Sequence, residues 1–128
     1  MGSGGSVLVV DDSRVVRRLA RGMLEGFGFA VREAADGAEA LAACRAAMPD
    51  AVLLDWNMPV LDGIGFLKHL RADHPSPLPR VILCTTETEL ARIVEALEAG
   101  ADEYIMKPFD AGILADKLRQ VGLLPAEA

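Results

Sequence analysis

Five short apolar runs, each followed by a longer amphipathic stretch, leave this chain few folds to choose from. Val7–Val10, Ala51–Leu54, Val81–Cys84 and Tyr104–Met106 are continuously apolar, and Ala30–Glu33 is the weakest of the five. A strand with one wet face alternates polar and apolar residues, whereas a strand covered on both faces has no reason to. The intervening stretches have the length of crossover helices, roughly ten to fifteen residues. A β-α rhythm repeated five times predicts an α/β fold: a doubly wound parallel sheet, (βα)5, with right-handed crossovers and helices on both faces. Ala30–Glu33 suits its edge.

The helical stretches carry a period of 3.6. In the first, Val16, Leu19, Ala20 and Met23 form a stripe expected to be buried, and Arg14, Arg17, Arg18 and Arg21 repeat the same spacing on the opposite face. Asp36 and Glu39 have capping-box spacing at the start of the second. Leu90, Ile93, Val94 and Leu97 mark the fourth, with Gly100 suited to its stop. Ile113, Leu114, Leu118 and Val121 mark the last. The reading is one domain over residues 6–124, a flexible leader over 1–5 and a tail over 125–128, with no room for a second domain. The Gly/Ser leader lacks the charged and apolar regions of a secretory signal, and its formal match to a myristoylation pattern is outweighed by its composition.

Composition narrows the function. The formal net charge of −6 argues against nucleic-acid binding, which needs a basic stripe to displace counterions. No apolar run approaches the ~18 residues that span a membrane. The two cysteines, Cys44 and Cys84, share no metal-binding spacing, and both are expected to be buried small hydrophobes of a protein in the reducing cytoplasm.

Chemistry gathers where the strands end. Val7–Val10 runs into Asp11 and Asp12, Ala51–Leu54 into Asp55, Val81–Cys84 into Thr85 and Thr86, and Tyr104–Met106 into Lys107. Open parallel sheets bind ligands beyond the carboxyl ends of their strands, where the strand order reverses. With the order 2-1-3-4-5 that point lies between the first and third strands, so Asp11, Asp12 and Asp55 converge, with Thr85 and Lys107 at the rim. Two unit charges ~5 Å apart repel by on the order of 3 kcal/mol at an effective dielectric of 20, so such a cluster needs a cation. Hard oxygen ligands that leave room for waters suit Mg²⁺. A divalent ion, a lysine and a hydroxyl around carboxylates make a phosphoryl-binding arrangement, in which one carboxylate can act as nucleophile and give an aspartyl phosphate.

The stretches LVVDDS (Leu8–Ser13), LLDWNMPVLDG (Leu53–Gly63), LCTTE (Leu83–Glu87) and YIMKPF (Tyr104–Phe109) resemble those of response-regulator receiver domains, above all the stand-alone chemotaxis regulators of the CheY type. The order 2-1-3-4-5, flavodoxin-like, is implied by that resemblance. The resemblance also implies roles for single residues. Asp55 would be the phosphoacceptor. Asp12, Asp55 and the backbone carbonyl of Asn57 would bind Mg²⁺, with Asp11 acting through a water. Thr85 and Lys107 would contact the phosphoryl group, the Lys107–Pro108 peptide would be cis, and Tyr104 would be the switch aromatic. Asn57, Thr86 and Glu87 fall at positions that tune phosphorylation lifetime, Thr86 being bulkier than the alanine of the chemotaxis regulators it resembles. The expected partners are a histidine kinase or histidine-phosphotransfer domain, docking on the first helix, and a protein target at the face of the fourth helix, fifth strand and fifth helix. A monomer is expected, with dimerisation on phosphorylation left open.

Plainer readings exist for each residue taken alone. Asp12 can cap a helix as well as ligate, Tyr104 can be core, and the arginine face can be merely solvated. Trp56 reads as exposed at the pocket mouth. Three other functions compete. A hydrolase of the haloacid-dehalogenase type needs a second acid two residues after its nucleophile, where this chain has Asn57. A phosphorylation-independent interaction module of the same fold usually lacks an acid, the threonine or the lysine, and all are present. A nucleotide binder would need a glycine-rich loop after the first strand, where Asp11 and Asp12 stand instead.

Overall fold

The structure is a computed structural model that describes residues 5–75, 78–86 and 90–125. Ten elements alternate along the chain: β1 (Ser6–Val10), α1 (Arg14–Gly26), β2 (Ala30–Ala34), α2 (Gly37–Ala46), β3 (Ala51–Asp55), α3 (Gly63–Asp73), β4 (Arg80–Thr85), α4 (Leu90–Glu98), β5 (Glu103–Met106) and α5 (Ala111–Gln120). The strands form one parallel sheet in the order β2-β1-β3-β4-β5, with β2 at an edge.

The apolar runs are continuous because each strand feeds two cores. Leu8, Val10, Val52, Leu54, Val81 and Leu83 face α2, α3 and α4, where they meet Cys44, Phe66, Leu67 and Ala96. The intervening Val7, Val9, Ala51, Leu53, Ile82, Cys84 and Ile105 face α1 and α5, meeting Ala20, Leu24, Leu114 and Leu118. Burial on both sides leaves no solvent face for a polar alternation to mark. Cys44 and Cys84 are buried free thiols, and burial pushes both up from the ordinary thiol range.

The helices bury narrower stripes than their patterns suggest. In α1 the buried residues are Ala20 and Leu24, whereas Leu19 is 61% exposed and Val16 and Met23 are half-buried. Those three line a groove, and Met23 also packs against the α1–α5 core. In α4 Ile93 and Ala96 are buried but Val94 and Leu97 are exposed, and in α5 Ile113 is exposed beside the buried Leu114. An outer helix touches the sheet along one line, so apolar residues at the margins of a wide stripe reach solvent.

Caps fix the helix starts. Ser13, not Asp12, caps α1 by accepting from Val16 N–H. Asp36 caps α2, and Glu39 reaches back to Ala35 N–H, one residue before the position a regular capping box would satisfy. Gly100 ends α4 at φ +114, a conformation that favours glycine. Residues 1–4 of the leader and 126–128 of the tail lie outside the described residues, and Gly5 O already accepts from Ala30 N–H.

Candidate functional site

Sheet register builds the site. Val10 is level with Leu54, so Asp11 and Asp55, one residue on, stand side by side. Period two then decides where they point. Asp11, Asp55 and Lys107 continue the alternation that sends Val9, Leu53 and Ile105 toward α1 and α5. Gly63 closes the loop after β3: it donates to Trp56 O at 3.0 Å, and a Cβ there would lie 2.4 Å from Asp55 O.

Ligand oxygens of Asp11, Asp12 and Asp55 all lie within 4.8 Å of one another. Asp11 and Asp55 are buried and Asp12 is exposed. Lys107 Nζ bridges the two buried acids, 2.7 Å from Asp11 Oδ2 and 3.0 Å from Asp55 Oδ1. The Lys107–Pro108 peptide is cis, as is Leu78–Pro79. Asp11 Oδ1 also accepts from Ser13 N–H at 2.8 Å, which fixes the carboxylate at the start of α1. One ammonium against three carboxylates leaves surplus negative charge, and three hard oxygen donors are the set a small divalent cation takes. The residues therefore fit Mg²⁺.

Electrostatics agree with that deficit. Burial raises the Asp55 carboxyl above its ordinary value; Asp11 and Asp12 push the same way, against the Lys107 hydrogen bond and charge. Burial pulls the Lys107 ammonium down, but its hydrogen bonds to Asp11 and Asp55 outweigh that and raise it. The signs follow by linkage. Lys107 contributes stability that is complete below its ordinary pKa and lost as pH rises through the raised one. Asp55 has the same sign in a lower pH range: stability falls as pH rises from its ordinary to its raised pKa and stays lost above it. Asp55→Asn should therefore melt higher than the parent at neutral pH in chelator. Added Mg²⁺ should narrow the gap; a lower melting temperature in chelator would contradict this.

The other described residues of the expected set lie on β4, on β5 and in the loops that follow β3 and β4. Thr85 ends β4 buried at 3% exposure, with Thr86 exposed beside it. Asn57 lies exposed in the loop after β3, and Tyr104 is half-buried against the α2–α3–α4 core. Glu87 lies outside the described residues. Trp56 is not an exposed residue: it is 9% exposed in the core, under the guanidinium of Arg92 at 5.3 Å. Nor do the arginines of α1 form one solvated face. Arg17 bonds Glu33 and Asp11 O, Arg21 bonds Glu33 and Val31 O, and only Arg14 and Arg18 are exposed.

Sequence reasoning missed a groove of about 310 Å³ beside the acids, between α1 and the β5–α5 connection. Val16, Leu19, Met23, Pro108 and Phe109 line it, with Lys107 and Thr86 at its edge. Its sequence signal is the apolar stripe of α1, in which the spacing places Leu19 and Met23 on the buried face.

The model of the response regulator receiver domain family matches residues 7–119. Chemotaxis protein CheY-3 of Vibrio cholerae is 40% identical over 116 residues, covering 90% of this chain and 89% of that protein. Chemotaxis protein CheY of Pseudomonas aeruginosa is 36% identical, covering 90% and 94%. Among solved structures, Vibrio cholerae CheY4 superposes with a TM-score of 0.86 at 36% identity, over 92% of this chain and 98% of that one. Among the described residues, no helix is long and apolar enough to cross a membrane.

Proposed function

The chain belongs to the response-regulator receiver family, a family of signalling modules rather than of classical enzymes, and on that premise we propose that Asp55 is the phosphoacceptor of a two-component relay. One observation carries the reading: three carboxylates from two strand ends share one cleft with a lysine that bridges two of them. Asp12, Asp55 and the Asn57 carbonyl, with Asp11 through a water, would hold Mg²⁺, whose charge when bound neutralises phosphoryl oxygens.

The chain's own residues do the rest. An Asp55 carboxylate oxygen attacks the phosphorus of a phosphohistidine, the P–N bond breaks, and its electron pair leaves with the imidazole, which takes up a proton. Lys107 exchanges a carboxylate partner for a phosphoryl oxygen. The Thr85 hydroxyl donates to another, and Tyr104 follows it inward. The face of α4, β5 and α5 changes with them, and a protein partner reads the change. Such a protein would work in the cytoplasm, with a histidine kinase or phosphotransfer domain upstream. A phosphorylation-independent module is the second reading, but it gives no reason to retain a full acid set with its lysine.

Acetyl phosphate tests this directly. The protein should gain the mass of one phosphoryl group when Mg²⁺ is present and none in chelator. No adduct, or one indifferent to chelator, would count against the reading.

The groove beside the acids gives the upstream partner its footing. Arg17 and Arg21 are already engaged with Glu33, so docking falls to Leu19, Met23, Pro108 and Phe109. Leu19→Glu should slow transfer from the kinase about tenfold, the equivalent of 1.4 kcal/mol, and leave labelling by acetyl phosphate unchanged. Equal slowing with both donors would place Leu19 in folding rather than docking.

A further inference from the structure

β5 is an edge strand, and its open side is dressed by its own neighbours. Glu103 Oε1 accepts the Tyr104 backbone N–H at 2.9 Å. Lys117 of α5 reaches round the same edge. Its Nζ lies 3.2 Å from Glu103 Oε1 and 4.7 Å from the centre of the Tyr104 ring. The apolar neighbours of Lys117, Leu114 and Leu118, belong to the α1–α5 core, whereas Tyr104 packs on the opposite one. Lys117 therefore crosses from one layer of the fold to the other.

A cation over an aromatic face is attracted by the ring quadrupole, more strongly when water is partly excluded. The Lys117 side chain is 21% exposed and Glu103 fixes its end, so the ammonium is held where it meets the ring. Lys107 is meanwhile engaged by Asp11 and Asp55, as expected before phosphorylation.

We infer that Lys117 is a positioning residue for Tyr104: its ammonium holds the ring in this resting pose and so sets how readily the switch leaves it. The inference rests on the switch proposed above. It makes Lys117 a brake on activation, distinct from any contact it makes with a partner.

Beryllofluoride with Mg²⁺, a stand-in for the phosphoryl group, tests it in the full chain. The single tryptophan, Trp56, reports binding, and the single tyrosine, replaced by fluorotyrosine, gives one fluorine resonance for the ring. Lys117→Met should bind beryllofluoride about fivefold more tightly, the size of a modest cation–π contact. Its resonance before activation should move toward the beryllofluoride-bound position. Lys117→Arg, which keeps a cation, should restore both values. In a Tyr104→Leu background Lys117→Met should change nothing.

An equal gain in that background would assign the effect to the Lys117–Glu103 pair and overturn the inference. An unmoved resonance in Lys117→Met would also overturn it while leaving the phosphoacceptor reading intact. Wild-type protein that fails to bind beryllofluoride would sink both.

Discussion

Asp55→Asn will leave no hydroxylamine-labile phosphate on the protein after incubation with acetyl phosphate and Mg²⁺, where the parent approaches one per chain. An amide lacks the negative charge and lone-pair basicity of a carboxylate nucleophile, so the chemistry has no first step. Neighbouring acids offer no ready substitute. Asp11 is committed to Ser13 N–H at 2.8 Å and to Lys107 at 2.7 Å, and Asp12 sits out in solvent. Asparagine keeps the shape of aspartate, so the fold should survive; the higher melting temperature expected in chelator would show that loss of labelling is not loss of structure. Stoichiometric labelling of Asp55→Asn would move the acceptor elsewhere.

Asp102→Ala should cost about 3–5 kcal/mol in urea-melt stability, because it strands a buried guanidinium. The Arg71 side chain is only 8% exposed. It donates to Gly100 O at 2.9 Å, His74 O at 3.1 Å and Pro79 O at 2.7 Å, and to Asp102 Oδ2 at 3.1 Å. The same carboxylate oxygen accepts from Val81 N–H at 2.8 Å. One ion pair thus ties the end of α3, the start of β4 and the α4–β5 turn. Burial lowers the Arg71 pKa, a sign of how poorly the site tolerates an unpaired cation. Asp116→Ala makes the contrast, since its partner Arg119 meets a carboxylate that is 68% exposed. Solvent screening should hold that loss to about 0.5 kcal/mol. Equal losses in the two variants would refute the distinction.

Much of the fold and of the site is legible in the sequence. Continuous apolar runs reported strands buried on both faces, and polar residues at their ends located the site, because a parallel sheet puts every strand terminus on the same side. The strand order came from resemblance, not from the pattern. The losses were of two kinds. Helical periodicity names a face but not how much of it the sheet covers, so Leu19 reads as core from its spacing yet is exposed, and Val94, Leu97 and Ile113 reach solvent from the apolar faces of α4 and α5. Side-chain partnerships between distant segments leave no local mark. Nothing near Arg17 or Arg21 announces Glu33, and nothing near Trp56 announces Arg92. Nor does the sequence signal that Val60 takes φ 69, a conformation usually left to glycine or asparagine.

Borohydride reduction of the acetyl-phosphate-treated protein, followed by peptide mass spectrometry, is the most direct measurement. It converts an aspartyl phosphate to homoserine and so names the residue that carried it. Homoserine at position 55 alone, formed with Mg²⁺ and absent in chelator, is the predicted result. Homoserine at position 11 or 12, or the same yield without a divalent ion, would contradict the account.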